Sequence, residues 1–591
     1  MKKIGKFALT LTFLACVAVL VPRTLSAQEN LARLVPDGPI FFKTSVDFEK
    51  VWASISQSNF WKQLTSLKVW EQTEVRAGLE NIAQGFSEEV GLELSTENIM
   101  SLLGKEIAFA LYAEQGEPPQ IKAYLLCRGN PKSTAEEIIN KFTNFVKEQA
   151  GDEAEFKDSV YKGTKITSVK PAEAPVQFEF GFVDDVLAIG VASAPPELKK
   201  IVDLAKGSGN SLADNAQFKR ILDATKMTTG RYAGCVYADM RRFGLLFGAL
   251  EQADLPMAMQ PMIQGMKQAY TMPIIMGGTS YIDRGVVMKL VTMPVGEVMD
   301  ELIQLSLKVP PASGSNISYV PENAIAYLGV NNMPDVEKLW PLLQKQWEQQ
   351  GAAAPMNMVF GQIETALGMK LEEDILPWVG TEFAVLFTDL DTKVGFPYPQ
   401  FALMGKIKDM PKAKAFLQKV NTIIKELTTE TGFKFEKSAY KSYSLNSVTI
   451  AMPLPMPITL TPAYGIVEDF LIVGSSADLV KQMIDTSKGV GRDLANDAAF
   501  KDMNISAKTI STFFFNWARF MDVVKATGAW AVQFFQAQPM MAESVKTAVD
   551  DYVVPIANCL AALQTIGGYQ TNENNMSITT YVIRVKDLPA R

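Results

Sequence analysis

Apolar residues along this chain recur either at every second position or at three- and four-residue spacing, and the two patterns take turns. Alternation predicts strands over 40–46, 106–112, 121–128, 161–169, 177–191, 230–239 and 274–293. Turn residues join them at Gln115-Gly116-Glu117-Pro118, at Asp184-Asp185 and at Asp283-Arg284-Gly285. Helical spacing marks 133–147, where Ser133 is placed to cap, Glu136 follows three residues on, and Ala135, Ile138, Ile139, Phe142 and Phe145 share a face. Further helices are predicted around Trp52, over 75–85, 197–206 and 213–224, and twice after Asp239. Short loops between strands imply antiparallel pairing. The expected class is therefore α+β, a largely antiparallel sheet with helices packed on one face.

The same pattern returns later in the chain. Leu34-Val35-Pro36-Asp37-Gly38-Pro39-Ile40 reappears as Tyr319-Val320-Pro321-Glu322-Asn323-Ala324-Ile325, and Trp52 as Trp340. Gly104-Lys105-Glu106 matches Gly380-Thr381-Glu382, and Ser159-Val160-Tyr161-Lys162 matches Ser438-Ala439-Tyr440-Lys441. Gly181 to Asp185 matches Gly465 to Asp469, Leu212 to Lys219 matches Leu494 to Lys501, and Gly277-Gly278 matches Gly567-Gly568. The seven pairs keep their order, with offsets from 276 to 290 residues. A period this long predicts two diverged domains rather than a solenoid. The expected division is a signal segment 1–27, a first α+β repeat 28–308, a linker 309–316 rich in Pro, Ser and Gly, and a second repeat 317–591.

The first 27 residues read as a secretory signal: Lys2, Lys3 and Lys6, an apolar run from Phe7 to Val21, then Pro22 and a small residue, Ala27, at the cleavage position. Retention as an uncleaved anchor and lipidation at Cys16 are the competing readings. No later run is long and apolar enough to span a bilayer, so the protein is expected to be exported, to the periplasm or cell envelope, without an integral span. After cleavage 53 basic residues face 64 acidic ones, a net charge of −11. That sign argues against nucleic acid as a partner and against electrostatic adhesion to anionic lipid. Cys127, Cys235 and Cys559 remain; burial as thiols is favoured, with one disulfide left open.

Candidate chemistry is sparse, and no catalytic, cofactor-binding or metal-ligating residue is assigned. The chain has no histidine, which removes His-activated nucleophiles, His-containing zinc sites and the usual base near neutral pH. Ser-x-x-Lys occurs at Ser159/Lys162 and Ser438/Lys441. In strand-like surroundings, however, residues i and i+3 point to opposite faces, so a structural hairpin edge is expected. Met257, Met259, Met262 and Met266 form a cluster that could take Cu(I), although an apolar packing helix is the plainer reading. Asp389 and Asp391 lack the remaining spacing of a calcium loop, and Asp152-Glu153-Ala154-Glu155 reads as solvated surface.

The motifs at Leu34 to Ile40, Gly104, Tyr161-Lys162-Gly163, Gly380, Asp409 to Leu417 and the Leu-Ala-x-x-x-x-Phe-Lys helices resemble a bacterial exported family known only as a domain of unknown function. Ser442, in place of Gly163, is a departure from that pattern. The resemblance covers nearly all of the mature chain and implies a scaffold, not an activity. The favoured reading is a non-enzymatic envelope protein that binds a protein, lipid or peptide, or acts as a scaffold. Apolar segments such as Val532 to Phe535 and Pro256 to Met272 could line a groove. The alternative is a carboxylate-based hydrolase of envelope glycans, which would need two facing acids in one cleft.

Overall fold

The alternating segments form antiparallel ladders in the computed structural model, which divides at Val298/Met299 into two units. It describes residues 31–47, 56–67, 105–114, 116, 120–129, parts of 135–147, 154–172, 176–193, 196–252, 274–295, 301–349, 353–391, 397–431, 433–453, 457–536 and 539–586. The signal segment 1–27, Trp52, the helix over 75–85 and the methionine cluster Met257–Met266 lie outside those residues.

The strands of the first unit are β1 (Phe41–Val46), β2 (Glu106–Glu114), β3 (Gln120–Arg128), β4 (Ala154–Tyr161), β5 (Thr164–Pro171), β6 (Gln177–Val183), β7 (Val186–Ala192), β8 (Arg231–Asp239), β9 (Ile274–Ile282) and β10 (Gly285–Pro294). Among the described residues its helices include α1 (Asn59–Thr65), α2 (Leu198–Ala205), α3 (Ala216–Thr225) and α4 (Phe243–Gln252), and the described residues of 135–147 are helical as well. Pairing gives the order β4-β5-β6-β7-β3-β2-β1-β8-β9-β10, antiparallel throughout.

The second unit contains α5 (Glu301–Leu307), β11 (Ala326–Val330), α6 (Val336–Gln349), α7 (Ala353–Leu367), β12 (Val379–Asp391), β13 (Tyr398–Ile407), α8 (Met410–Thr431), β14 (Lys434–Tyr440), β15 (Tyr443–Pro453) and β16 (Pro457–Leu460). It continues with β17 (Ala463–Val467), β18 (Phe470–Gly474), α9 (Ala477–Ser487), α10 (Ala498–Asp502), β19 (Ser511–Asn516), α11 (Trp517–Phe535), α12 (Pro539–Ala548), α13 (Val554–Ala561), β20 (Leu563–Glu573) and β21 (Met576–Val585). Its order is β14-β15-β17-β18-β13-β12-β11-β19-β20-β21, with β16 a further partner of β15. Apart from β16, this repeats the order of the first unit strand for strand.

Two expectations need correction. First, helices pack on both sheet faces, because the strands carry apolar side chains in both phases of the alternation. In the second unit α9 lies against one face, where Val480 meets Gly474 and Ile472 is fully buried. On the other face α8 brings Met410, Ala413 and Phe416 against Val379, Ile407, Ile466 and Leu471. Second, Ala154–Tyr161, for which no element was expected before Tyr161, is a strand. As β4 it pairs only with β5 among the described residues, so its polar side chains stay exposed and leave no burial signal in the sequence.

The Pro-rich stretch 309–316 belongs to the second unit. Ala312 exchanges backbone hydrogen bonds with Thr509 at 3.0 Å each way, and Asn316 is buried, its amide donating to the Val330 carbonyl.

Candidate ligand-binding face

The repeated sequence motifs mark polar clamps that hold the sheets in shape. Glu106 is 1% exposed and accepts from the Leu31 amide (2.8 Å), the Thr44 hydroxyl and Arg128 Nη1 (3.0 Å). It ties the 3-10 turn Leu31–Leu34 to β1 and β3. In the second unit Glu382 accepts from the amide and hydroxyl of Ser315 (2.9 Å each) and from Lys406. Each acid thus fixes the segment that precedes its unit's first strand.

The Ser-x-x-Lys segments sit at the β4–β5 and β14–β15 hairpins, where Lys162 and Lys441 occupy the left-handed turn position at φ +46° and +52°. Lys162 pairs with Asp203 of α2 at 2.7 Å, and Tyr161 donates to the same carboxylate at 3.0 Å. Lys441 and Tyr440 hold Asp485 of α9 in the same way, at 2.5 and 2.8 Å. Ser159 instead donates, at 3.4 Å, to the Ile166 carbonyl. Each lysine's ion-pair partner is an aspartate on a helix, so the motif pins a hairpin to that helix.

Among the described residues no group of three or more acidic or sulfur ligands is gathered for a metal. Cys127, Cys235 and Cys559 are buried thiols. Burial pushes the Cys127 thiol up to about 12. Glu179 lies close enough to Glu197 for the two charges to interact. Burial holds the Glu179 carboxyl above the ordinary range, but its oxygens accept from the Leu198 amide (3.0 Å) and the Ser168 hydroxyl. Glu197 is in turn engaged by Lys200 and Lys122. Asp389 and Asp391 end β12.

The feature that sequence reasoning missed lies on the α8 face of the second unit. Cross-strand register places Val473, Leu403, Val385, Leu328 and Phe513 in one row across β18, β13, β12, β11 and β19. Five strands at roughly 4.8 Å spacing make this row about 19 Å long. A second row, two residues along, holds Phe401, Phe387, Ala326 and Phe515. Four of these side chains are open to solvent: Leu328 at 45%, Phe401 at 42%, Leu403 at 46% and Val473 at 41%. The opposite phase of the same strands, with Tyr327, Leu386, Ala402 and Ile472, is buried.

Two helices border the open patch. The aromatic rings of Trp517 and Phe520, at the start of α11, pack on Phe515 with centroids 5.0 and 5.2 Å away. At the other end Asn421 of α8 accepts from the Tyr464 hydroxyl at 2.7 Å. Beside β12, α6 and α7 are joined by the aromatic cluster Trp340, Trp347 and Phe360, and α7 exposes Met358, Val359 and Ile363. Such an apolar face offers dispersion and burial to an apolar chain. In the first unit α4 packs on β2 and β3, whereas the corresponding helix α11 packs on β20 and α13. Phe534 and its neighbours Val532 to Phe535 end α11, and Pro256 to Met272 falls outside the described residues.

The signal for the open face was present as Phe383, Val385 and Phe387 alternating with Ala384 and Leu386. Apolar residues in both phases indicate a strand covered on both sides, and nothing local shows that one cover is missing. No helix among the described residues is long and apolar enough to cross a membrane. No curated protein and no solved structure matches the chain. Residues 139–427, just under half of its length, match a family model described as a protein of unknown function, DUF3352.

Proposed function

We propose that the chain is a non-enzymatic, exported envelope protein built from two diverged copies of one α+β unit, and that it binds the acyl chain of a lipid on the open sheet face of the second unit. The observation that carries this reading is the row Val473–Leu403–Val385–Leu328–Phe513, apolar across five strands and exposed at three of its five positions. Each methylene buried there contributes about 0.8 kcal/mol, so a chain lying along the row gains useful affinity without any polar contact. Duplication is supported by the shared strand order and by the paired clamps Glu106/Glu382 and Asp203/Asp485. The composition of residues 1–27 supports export to the periplasm or envelope.

The test uses the chain from residue 28 onward and the apolar fluorescent probe N-phenylnaphthylamine. Leu403→Asp should weaken binding at least tenfold, since it desolvates a carboxylate in the centre of the face. Because Leu403 is nearly half exposed, the melting temperature should stay within a few degrees of the parent. Undiminished probe binding by Leu403→Asp would rule out this face. Mass spectrometry of the natively purified protein should reveal co-purifying lipid.

A further inference from the structure

The open face of the second unit has ends as well as a floor. One strand beyond Val473 the row continues into Tyr464 of β17, and beyond Phe513 it continues into Gly568 of β20 and Tyr581 of β21. Exposure falls from 41% at Val473 to 9% at Tyr464. The Tyr464 ring is held in place by its hydroxyl, which donates to Asn421 of α8 at 2.7 Å. At the opposite end Gly568 is buried and has no side chain to offer. The Phe513 ring leans over it, so that a Cβ there would lie 2.8 Å from the ring. In that position it meets the Tyr581 ring, with centroids 5.7 Å apart. Each end of the row is thus closed by a tyrosine ring, one fixed by a hydrogen bond and the other by an aromatic contact.

Between these stops the floor is uniform. The side chains of both rows, from Val473 to Phe513 and from Phe401 to Phe515, are hydrocarbon throughout. The rows stand two residues apart along each strand, about 7 Å, so the furrow between them has the width of one hydrocarbon chain. An extended chain advances roughly 1.3 Å per methylene, the projection of a tetrahedral carbon–carbon bond. The row's length of about 19 Å therefore corresponds to about fifteen carbons.

We propose that this face is a chain-length ruler, selecting unbranched acyl chains of about 14 to 16 carbons, with Tyr464 and the Phe513–Tyr581 pair as its stops. Methylenes up to that length lie on apolar side chains and leave water. Further ones meet a ring, stay hydrated and add no affinity. A uniform floor favours no part of the chain over another, so the rings alone set the limit. The proposal rests on the reading that this face binds an acyl chain, and it adds the length of chain that fits.

The test is displacement of N-phenylnaphthylamine from the chain starting at residue 28 by straight-chain alkanoates of eight to twenty carbons, each below its aggregation limit. Affinity should rise about twofold to fourfold per methylene up to about fifteen carbons and then level off. Val473→Trp puts an indole on the floor one strand inside the Tyr464 stop. Its break should come about four carbons earlier, the length of chain that spans one strand spacing. Because Val473 is open to solvent, the melting temperature of this variant should stay within a few degrees of the parent, which separates a shortened floor from lost folding. Affinity that keeps rising to twenty carbons in the parent, or a break that Val473→Trp leaves in place, would overturn the ruler alone and leave the face as an acyl-chain site. Absence of probe binding, or no displacement at any length, would remove the acyl-chain reading itself and the ruler with it.

Discussion

At the scale of single residues, buried carboxylates organise the fold. Glu106 satisfies a backbone amide, a hydroxyl and a guanidinium at once, and its removal leaves Arg128, itself mostly covered, without its buried partner. Glu106→Ala should therefore cost about 3–5 kcal/mol, the range for breaking a buried ion pair from one side, measured as a lower urea midpoint. Glu382→Ala should cost less, because Lys406 is more exposed than Arg128 and an exposed cation left without its partner is rehydrated. The Gly-x-Glu motif was legible in the sequence as a repeated strand start. Its role was not, because the Leu31 amide that Glu106 binds lies 75 residues away. Cys127 makes a second residue-scale prediction. With its thiol pushed up to about 12, it should resist maleimide labelling in the native state and react once the chain is unfolded in guanidinium.

At the scale of elements, hairpins are joined to helices by charge. Hydrogen bonds from Lys162 and Tyr161 hold the Asp203 carboxyl below its ordinary value, and Lys441 and Tyr440 do the same for Asp485. A depressed folded-state pKa stabilises fully above the unfolded value, near 4, and that contribution disappears as pH falls through the folded value. Stability measured by thermal melting should thus drop as pH is lowered below about 4. Lys162→Met combined with Lys441→Met should flatten that part of the profile. The repeated Gly-Gly pair has an element-level cause as well: a Cβ at Gly278 would lie 2.0 Å from the Lys289 carbonyl, and at Gly568 2.1 Å from that of Thr580. Gly568→Ala should part β20 from β21 and lower the melting temperature by several degrees. Strands with one buried phase were legible from alternation. The edge strand β4 was not, since Glu155, Lys157, Asp158 and Ser159 are all solvated. The second helical layer was hidden for the opposite reason, because apolar residues in both phases do not say what covers them.

At the scale of the whole molecule, order and spacing of the matched motifs gave the expectation of two repeats, and the strand orders of the two units agree. The open face could not be anticipated. Beside it α11 packs on β20 and α13, while its counterpart α4 packs on β2 and β3, a difference that no short motif records. The shared order also has a kinetic consequence. The first strand of each unit is a central one: β1 lies between β2 and β8, and β11 between β12 and β19. Enclosing β1 requires closing a loop from residue 46 to residue 231, so the entropy of that closure is met before most contacts form. Each unit should refold slowly, and a chain stopped before β8 should stay open, with one edge of β1 unpaired and prone to association. A polypeptide that postpones its own closure in this way remains threadable for most of its synthesis, which accords with the export proposed for this chain.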